Sequence, residues 1–299
     1  MLAQQNCPRA ATTLLTLLTS LALWTWTAAT VGQDAQERSP AEESRRALAR
    51  GDAKRALELT TAALRKNPQN REFQLLRASA FDSLRRHQEA VEDYDVLLRA
   101  TPDSASIHHL RGRSRFKLGD VDGSIDDFGQ ATELEPRLEM RLWERGISLY
   151  YAAKYAEGAR QFEAYQRYDA SDVENVVWRY LCQAQAEGIE KAREAILPLD
   201  REDPRVPMMT IYALYRGQAT PNAVLAAAQQ GSPQRDELRN RLFYAHLYIG
   251  LYFEAESNTE QARQHLLLAH QHKISHYMWD VANVHVIERA WTAEQTRGK

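Results

Sequence analysis

The stretch "IHHLRGRSRFKLGDVDGSIDDFGQATELEP", Ile107 to Pro136, decides the fold. Its small residues Gly112, Ser124 and Ala131 sit where two antiparallel helices of one hairpin must approach closely. Phe128 supplies a large ring to fill the gap to the next hairpin. Pro136 closes the unit, because proline cannot continue a helix without losing a backbone hydrogen bond. Working outward, the same plan recurs at a step of 34 residues. Pro68, Pro102, Pro136 and Pro204 share one ladder, interrupted only at Ala170. Twelve residues before each rung stand Ala56, Ala90, Ser124, Gly158 and Ala192, all small. Four residues later come Thr60, Tyr94, Phe128, Phe162 and Ile196. Arg77, Arg111, Arg145 and Arg179 repeat at the same step, the first three followed by Ala78, Gly112 and Gly146. The simplest reading of these arginines packs their aliphatic stems along a groove and leaves their heads in water.

Composition supports a helical chain. Of 299 residues, 44% are hydrophobic, enough to fill a core. Leu, Ala, Glu, Arg and Gln abound while Val and Ile are sparse, which favours helix. A formal charge of −2 gives no electrostatic footprint for nucleic acid. Thirteen glycines and ten prolines are too few for long disordered or collagen-like stretches.

A 34-residue helical hairpin with this pattern resembles the tetratricopeptide repeat (TPR) family. The fold expected is all-α, an α-solenoid of TPR hairpins with a C-terminal capping helix. Five units span residues 37–204, the first degenerate. An irregular helical segment with Pro207, Pro221 and Pro233 covers 205–242. A sixth unit, 243–276, carries small residues at Gly250, Ala262 and Ala269. A capping helix follows over 277–293, opened by Ser275 as N-cap, with a tail over 294–299. A cap is needed because the last hairpin of a stack would otherwise expose an apolar face.

The start of the chain reads as a leader. Arg9 is the only charge before Asp34, and "LLTLLTSLALWTW", Leu14 to Trp26, is an apolar run of signal-peptide length. Small residues after it suit cleavage after Ala29 or Gly32, making 1–32 a signal peptide. Left uncleaved, residues 10–33 are long enough to anchor the chain in a bilayer, which takes roughly 20 residues. Either way the body is expected outside the cytoplasm, periplasmic or secreted. Cys7 lies in the leader and Cys182 stands alone in the body, so no internal disulfide forms within the body.

No metalloprotease, redox, nucleophile-elbow or phosphate-loop motif occurs in the sequence. The one catalytic temptation is the crowding of His265, His270, His272, His276 and His285. A metal-dependent hydrolase built on them is the alternative reading, and a self-associating structural module is a third. A metal site needs ligands converging on one point. A helix junction between His272 and His276, and the divergence of His265 from His270, argue against convergence. Met278, Val281 and Ala282 then form the apolar face that seals the stack. The expectation is a non-enzymatic protein with no cofactor and no metal.

The TPR resemblance implies a concave groove lined by the first helix of each unit. Its inward positions fall on His109, Arg113, Phe116 and Lys117, then Trp143, Ile147, Tyr150 and Tyr151, then Val177 and Leu181, with Trp178 at the edge. Arginine with rigid aromatics is the composition of binding hot spots, although about half of these aromatics are expected in the core. The partner expected there is a protein or peptide. The lysine–asparagine clamp that some TPR domains use on C-terminal carboxylates is not matched, since Leu75 and Ser79 stand there.

From Leu142 onward the likeness narrows. "RGISLYYAAKYAEGARQFEAYQRYDASDVENVVWRYLCQAQ", Arg145 to Gln185, is similar to the NlpI-like bacterial TPR lipoproteins. That resemblance implies an exported adaptor, often a homodimer, which holds proteases or cell-wall hydrolases and presents substrates to them. This chain lacks the lipidated cysteine of that family, so a membrane link rests on an uncleaved leader alone.

Overall fold

The computed structural model describes residues 39–291. The leader, its cleavage region and the tail beyond 293 lie outside the described residues. Within them every regular element is a helix, and none is long and apolar enough to cross a membrane.

Five consecutive hairpins form the N-terminal half. They pair α1 (Pro40–Ala49) with α2 (Ala53–Lys66), α3 (Arg71–Ser83) with α4 (His87–Ala100), and α5 (Ala105–Lys117) with α6 (Val121–Leu134). The next two pair α7 (Trp143–Tyr151) with α8 (Tyr155–Gln166) and α9 (Val173–Glu187) with the short α10 (Ile189–Glu194). A further hairpin follows, α11 (Met208–Tyr215) with α12 (Pro221–Gln229). The long α13 (Arg235–Ala255) packs on α14 (Thr259–Gln271), and α15 (Tyr277–Glu288) closes the chain. The boundary expected at residue 242 therefore falls inside α13. No breaker lies between Pro233 and Gly250, so the helix runs through.

Short-range chemistry sets the helix ends. Side chains of Ser39, Asp52, Asn70, Asp120, Asp172, Thr220 and Asn258 accept from backbone N–H groups two or three residues ahead. Each such cap contributes about 1 kcal/mol. Within each of the first four hairpins the chain turns through one left-handed residue: Gly51, Arg85, Gly119 and Ala153, again 34 apart. The turn is closed by a six-residue bond back to the helix, such as Arg86 N–H to Phe81 O at 2.9 Å and Asp120 N–H to Arg115 O at 3.0 Å. Between hairpins, Pro68, Pro102 and Pro136 follow directly on the helix C-caps Asn67, Thr101 and Glu135.

The small positions do the work expected of them, but against a nearer neighbour. A Cβ on Gly112 would sit 3.1 Å from the Phe128 ring, and one on Gly146 only 2.6 Å from Phe162. Each ring thus lies over the glycine of its own hairpin, and Phe128 also reaches Leu142 of the next.

The recurring arginines correct the expectation of heads in water. Arg77 grips Asp93 with Nε at 2.8 Å and Nη2 at 2.6 Å, and Arg111 grips Asp127 at 2.9 and 2.6 Å in the same way. Arg145 reaches Gln161, and Arg179 turns to Glu163 and to the Ala195 carbonyl. For Arg77, Arg111 and Arg145, in the second to fourth hairpins, the partner lies 16 residues on, upon the second helix of the same hairpin. Bidentate, half-buried pairs of this kind fix the angle between the two helices as well as their contact.

The largest apolar cluster lies in the C-terminal two thirds and takes in every helix from α7 to α15, with Phe116 of α5. The N-terminal hairpins hold smaller, separate clusters.

Candidate protein-binding groove

The first helices α3, α5, α7 and α9 line one side of the stack, and α15 lies against it. This placement departs from a helix that only closes the end. Trp279 does reach back to α14, donating its indole N–H to the His270 carbonyl at 2.9 Å. Yet residues on its other faces point into the groove. Tyr277 stacks on Phe116 at 5.8 Å and meets Trp143 edge-on at 5.3 Å. The Arg113 guanidinium lies 5.0 Å above the Tyr277 ring and the Lys117 ammonium 5.7 Å from it. Asp280 pairs with Arg85, which also covers the Trp279 ring at 4.0 Å. Tyr151 bonds His285 Nδ1 at 3.0 Å, and His285 faces Glu254 at 3.4 Å.

Nine of the ten residues from Tyr277 to Val286 are buried, all but Asn283, and only the last turn, at Ile287 and Glu288, is exposed. A helix with apolar residues on more than one face is enclosed rather than laid on a surface. That signal was present in the sequence. Reading only Met278, Val281 and Ala282 as a sealing face overlooked Tyr277, Asp280 and His285. Its N-cap is His276, whose ring accepts from Met278 N–H at 3.3 Å, in place of Ser275.

The eleven residues expected in the groove separate by depth, and Val177 and Leu181 lie in the core at 0% exposed. Ile147 and Trp178 are core, at 0% and 1% exposed. Tyr150 is buried too and packs edge-on against Trp178 and Tyr151. Phe116 is buried beneath Tyr277. His109, Arg113, Lys117, Trp143 and Tyr151 remain part-exposed along the rim. Arg113 and His109 both approach Glu144, at 3.6 and 3.5 Å. Burial raises the phenols of Tyr151 and Tyr277 well above their ordinary range, so both stay neutral. Burial alone would raise Asp82, but bonds from His87 and Lys117 hold its carboxyl below the usual range. A fixed anion thereby anchors Lys117 at the groove edge.

Of the five histidines, His265 and His272 gather around His246, while His270, His276 and His285 go to separate places. His265 pairs with His246 at 2.9 Å, and His272 stacks on that ring at 5.7 Å. His270 stacks on Trp279 and bonds Asn283, while His276 meets Tyr244 and His285 meets Tyr151. Burial first, then its two neighbours, push His246 down to about 4, so it is neutral near pH 7. Among the described residues no group of three or more His, Cys, Asp or Glu side chains is placed to hold a metal ion.

Beside the groove, Arg205 joins Asp172 at 2.7 Å and Glu174 at 2.6 Å, and the Tyr248 hydroxyl donates to Glu174 at 2.6 Å. Burial pushes the Glu174 carboxyl up to about 7 despite Arg205.

Residues 42–105 match the family model for the tetratricopeptide repeat. Among solved structures, a tetratricopeptide repeat protein from Parabacteroides merdae aligns over 82% of this chain and 96% of its own, at 16% identity and a TM-score of 0.55. The C-terminal part of a TPR repeat-containing protein from Cytophaga hutchinsonii aligns over 77% of this chain and 93% of its own, at 16% identity and a TM-score of 0.50. The matched repeat units and the shared helical stack make this chain an α-solenoid of tetratricopeptide hairpins.

Proposed function

We propose that the protein is a binding scaffold whose groove, lined by α5 and α7, receives a helix or peptide of a protein partner. The observation that carries this reading is the seating of Tyr277 among Phe116, Trp143, Arg113 and Lys117. Aromatic rings and cations converge there on one ring of an added helix, as they do at interface hot spots. In this reading α15 occupies the groove as an intramolecular ligand, and a partner competes with it. Competition lowers apparent affinity by the fraction of molecules with an open groove.

The leader and the likeness of Arg145–Gln185 to the NlpI-like adaptors support a finer version. The protein would work outside the cytoplasm, bringing substrates to a protease or a cell-wall hydrolase, as a monomer or homodimer. Capture from the extracytoplasmic fraction tests the groove. The double variant Tyr277→Ala, Asp280→Ala frees α15 and should retain several-fold more partner than the wild type. Adding Trp143→Ala should abolish that gain. Equal capture by all three proteins would refute a groove-bound partner.

A further inference from the structure

Tyr277 and Asp280 stand three apart on α15 and so share the face that enters the groove. The groove matches the ring of Tyr277 on several sides. Phe116 stacks on it at 5.8 Å, Trp143 meets it edge-on at 5.3 Å, and the Arg113 guanidinium lies 5.0 Å from its centre. The hydroxyl is not matched. It is buried without a hydrogen-bond partner, although a phenol can both donate and accept. A polar group taken out of water and left unbonded weakens the helix that brings it. This pocket therefore suits a ring that carries no hydroxyl.

The carboxylate position is the reverse case. A cavity of about 160 Å³ lies where the start of α15 meets the α3–α4 turn and α5, and three cations line it: Arg85, Arg113 and Lys117. The groove itself supplies a carboxylate to two of them. Asp82 pairs with Lys117, and Glu144 lies 3.6 Å from Arg113. The two histidines of the cavity are engaged as well, His87 on Asp82 and His276 on Tyr244. Arg85 is left to α15: among the described residues its one paired carboxylate is Asp280. The local backbone does not ask for an arginine there. Arg85 holds the left-handed position of its turn at φ 61°, where the equivalent turns carry Gly51, Gly119 and Ala153 and a side chain adds strain. Its guanidinium serves α15, pairing with Asp280 and covering the Trp279 ring at 4.0 Å. Without α15, Arg85 would face the groove with no counter-charge.

Resting on the groove-binding function given above, we propose that the partner presents a helix with a phenylalanine and, three residues on, a carboxylate. The phenylalanine enters the pocket of Phe116 and Trp143, and the carboxylate pairs with Arg85. α15 carries the same pair of features with a tyrosine in the ring pocket, and is the weaker, built-in competitor.

The test uses a labelled synthetic copy of residues 273–291, titrated by fluorescence anisotropy into the full-length Tyr277→Ala, Asp280→Ala variant. Four peptides are compared: the native sequence, Tyr277→Phe, and Tyr277→Phe combined with Asp280→Asn or with Asp280→Lys. The Tyr277→Phe peptide is expected to bind about tenfold more tightly than the native sequence. Adding Asp280→Asn should weaken it at least about tenfold, and Asp280→Lys further still. Introducing Arg85→Gln into the protein should abolish the preference for Asp over Asn and leave that for Phe over Tyr. Equal binding of the Asp and Asn peptides would overturn the proposal, as would a native peptide that binds as well as Tyr277→Phe. Failure of every peptide to bind would overturn it too. Wild-type protein should give the same order at lower affinity, since only its open fraction binds, so the result does not hinge on the variant's fold. Capture of a partner beside failed titrations would remove the phenylalanine–carboxylate helix and leave the groove function. Failure of both would remove the two together.

Discussion

Gly146 offers a sharp test of how the hairpins are packed. It lies inside α7, where replacing glycine by alanine should by propensity alone add about 1 kcal/mol. The structure reverses the sign. A Cβ at this position falls 2.6, 2.8 and 2.9 Å from three atoms of the Phe162 ring, which is itself 0% exposed. Carbon atoms settle at about 3.5–4.0 Å, so the ring must retreat by roughly 1 Å into a close-packed interior. Overpacking of this kind costs about 1–3 kcal/mol and more when backbone shifts. The expected net effect of Gly146→Ala is a loss of about 1–2 kcal/mol. Gly129 in α6 is the control, since a Cβ there meets nothing within 4 Å. Gly129→Ala should therefore stabilise by about 0.5–1 kcal/mol. Urea unfolding followed by circular dichroism measures both. Adding Phe162→Leu to Gly146→Ala should recover part of the loss, a coupling that a double-mutant cycle reads directly. If Gly146→Ala proves as stabilising as Gly129→Ala, the close approach of α7 and α8 is wrong.

Three further outcomes follow from the same structure. Asp127 is 1% exposed and answers Arg111, Arg115 and His108, so Asp127→Ala should cost about 3–5 kcal/mol. The exposed neighbour change Asp126→Ala should stay within about 0.5 kcal/mol, and equal effects in urea melts would refute the buried network. Ala153 holds a left-handed turn at φ 56°, whereas two of the three equivalent turns use glycine, Gly51 and Gly119, and the third uses Arg85. Ala153→Gly should raise stability by about 1 kcal/mol, seen as a Tm increase of about 2–4 °C, and a fall would exclude the strain. Glu174 has a folded pKa near 7, above its ordinary 4.5, because burial disfavours its charge. The native state then keeps a proton that the unfolded chain releases. Its contribution is whole below pH 4.5 and is lost as pH rises through 7. Relative to wild type, Glu174→Gln should gain at least about 1 kcal/mol between pH 5 and pH 8, and a pH-independent difference in urea melts would contradict this.

Much of the molecule was legible because it is governed by neighbours three, four or 34 residues apart. The period, the proline boundaries and the small residues at Gly112, Ser124, Gly146 and Gly158 are local requirements of a helical hairpin, repeated in register. Even the arginine partners were within reach of the sequence. Asp93, Asp127 and Gln161 share the same step as Arg77, Arg111 and Arg145, although the arginines taken alone suggested water-facing heads. The groove residues were legible as a set but not in depth. Spacing names the inward positions of α5 and α7, while burial of Ile147, Tyr150 and Trp178 depends on what later helices place above them.

The tertiary structure alone decided where α15 goes. The sequence shows 277–286 to be apolar except at Asp280, Asn283 and His285, a composition that calls for enclosure. It does not say by what. Enclosure depends on the curvature of the stack, a sum of small rotations from one hairpin to the next. That sum brings Arg85 to Asp280 across 195 residues and Tyr151 to His285 across 134. It also brings Met278, from the end of the chain, into the lining of one cavity with Trp143, Phe162 and Trp178. No local pattern carries such a sum, because each hairpin contacts chiefly its neighbours and the closing contact is made only after all of them have stacked.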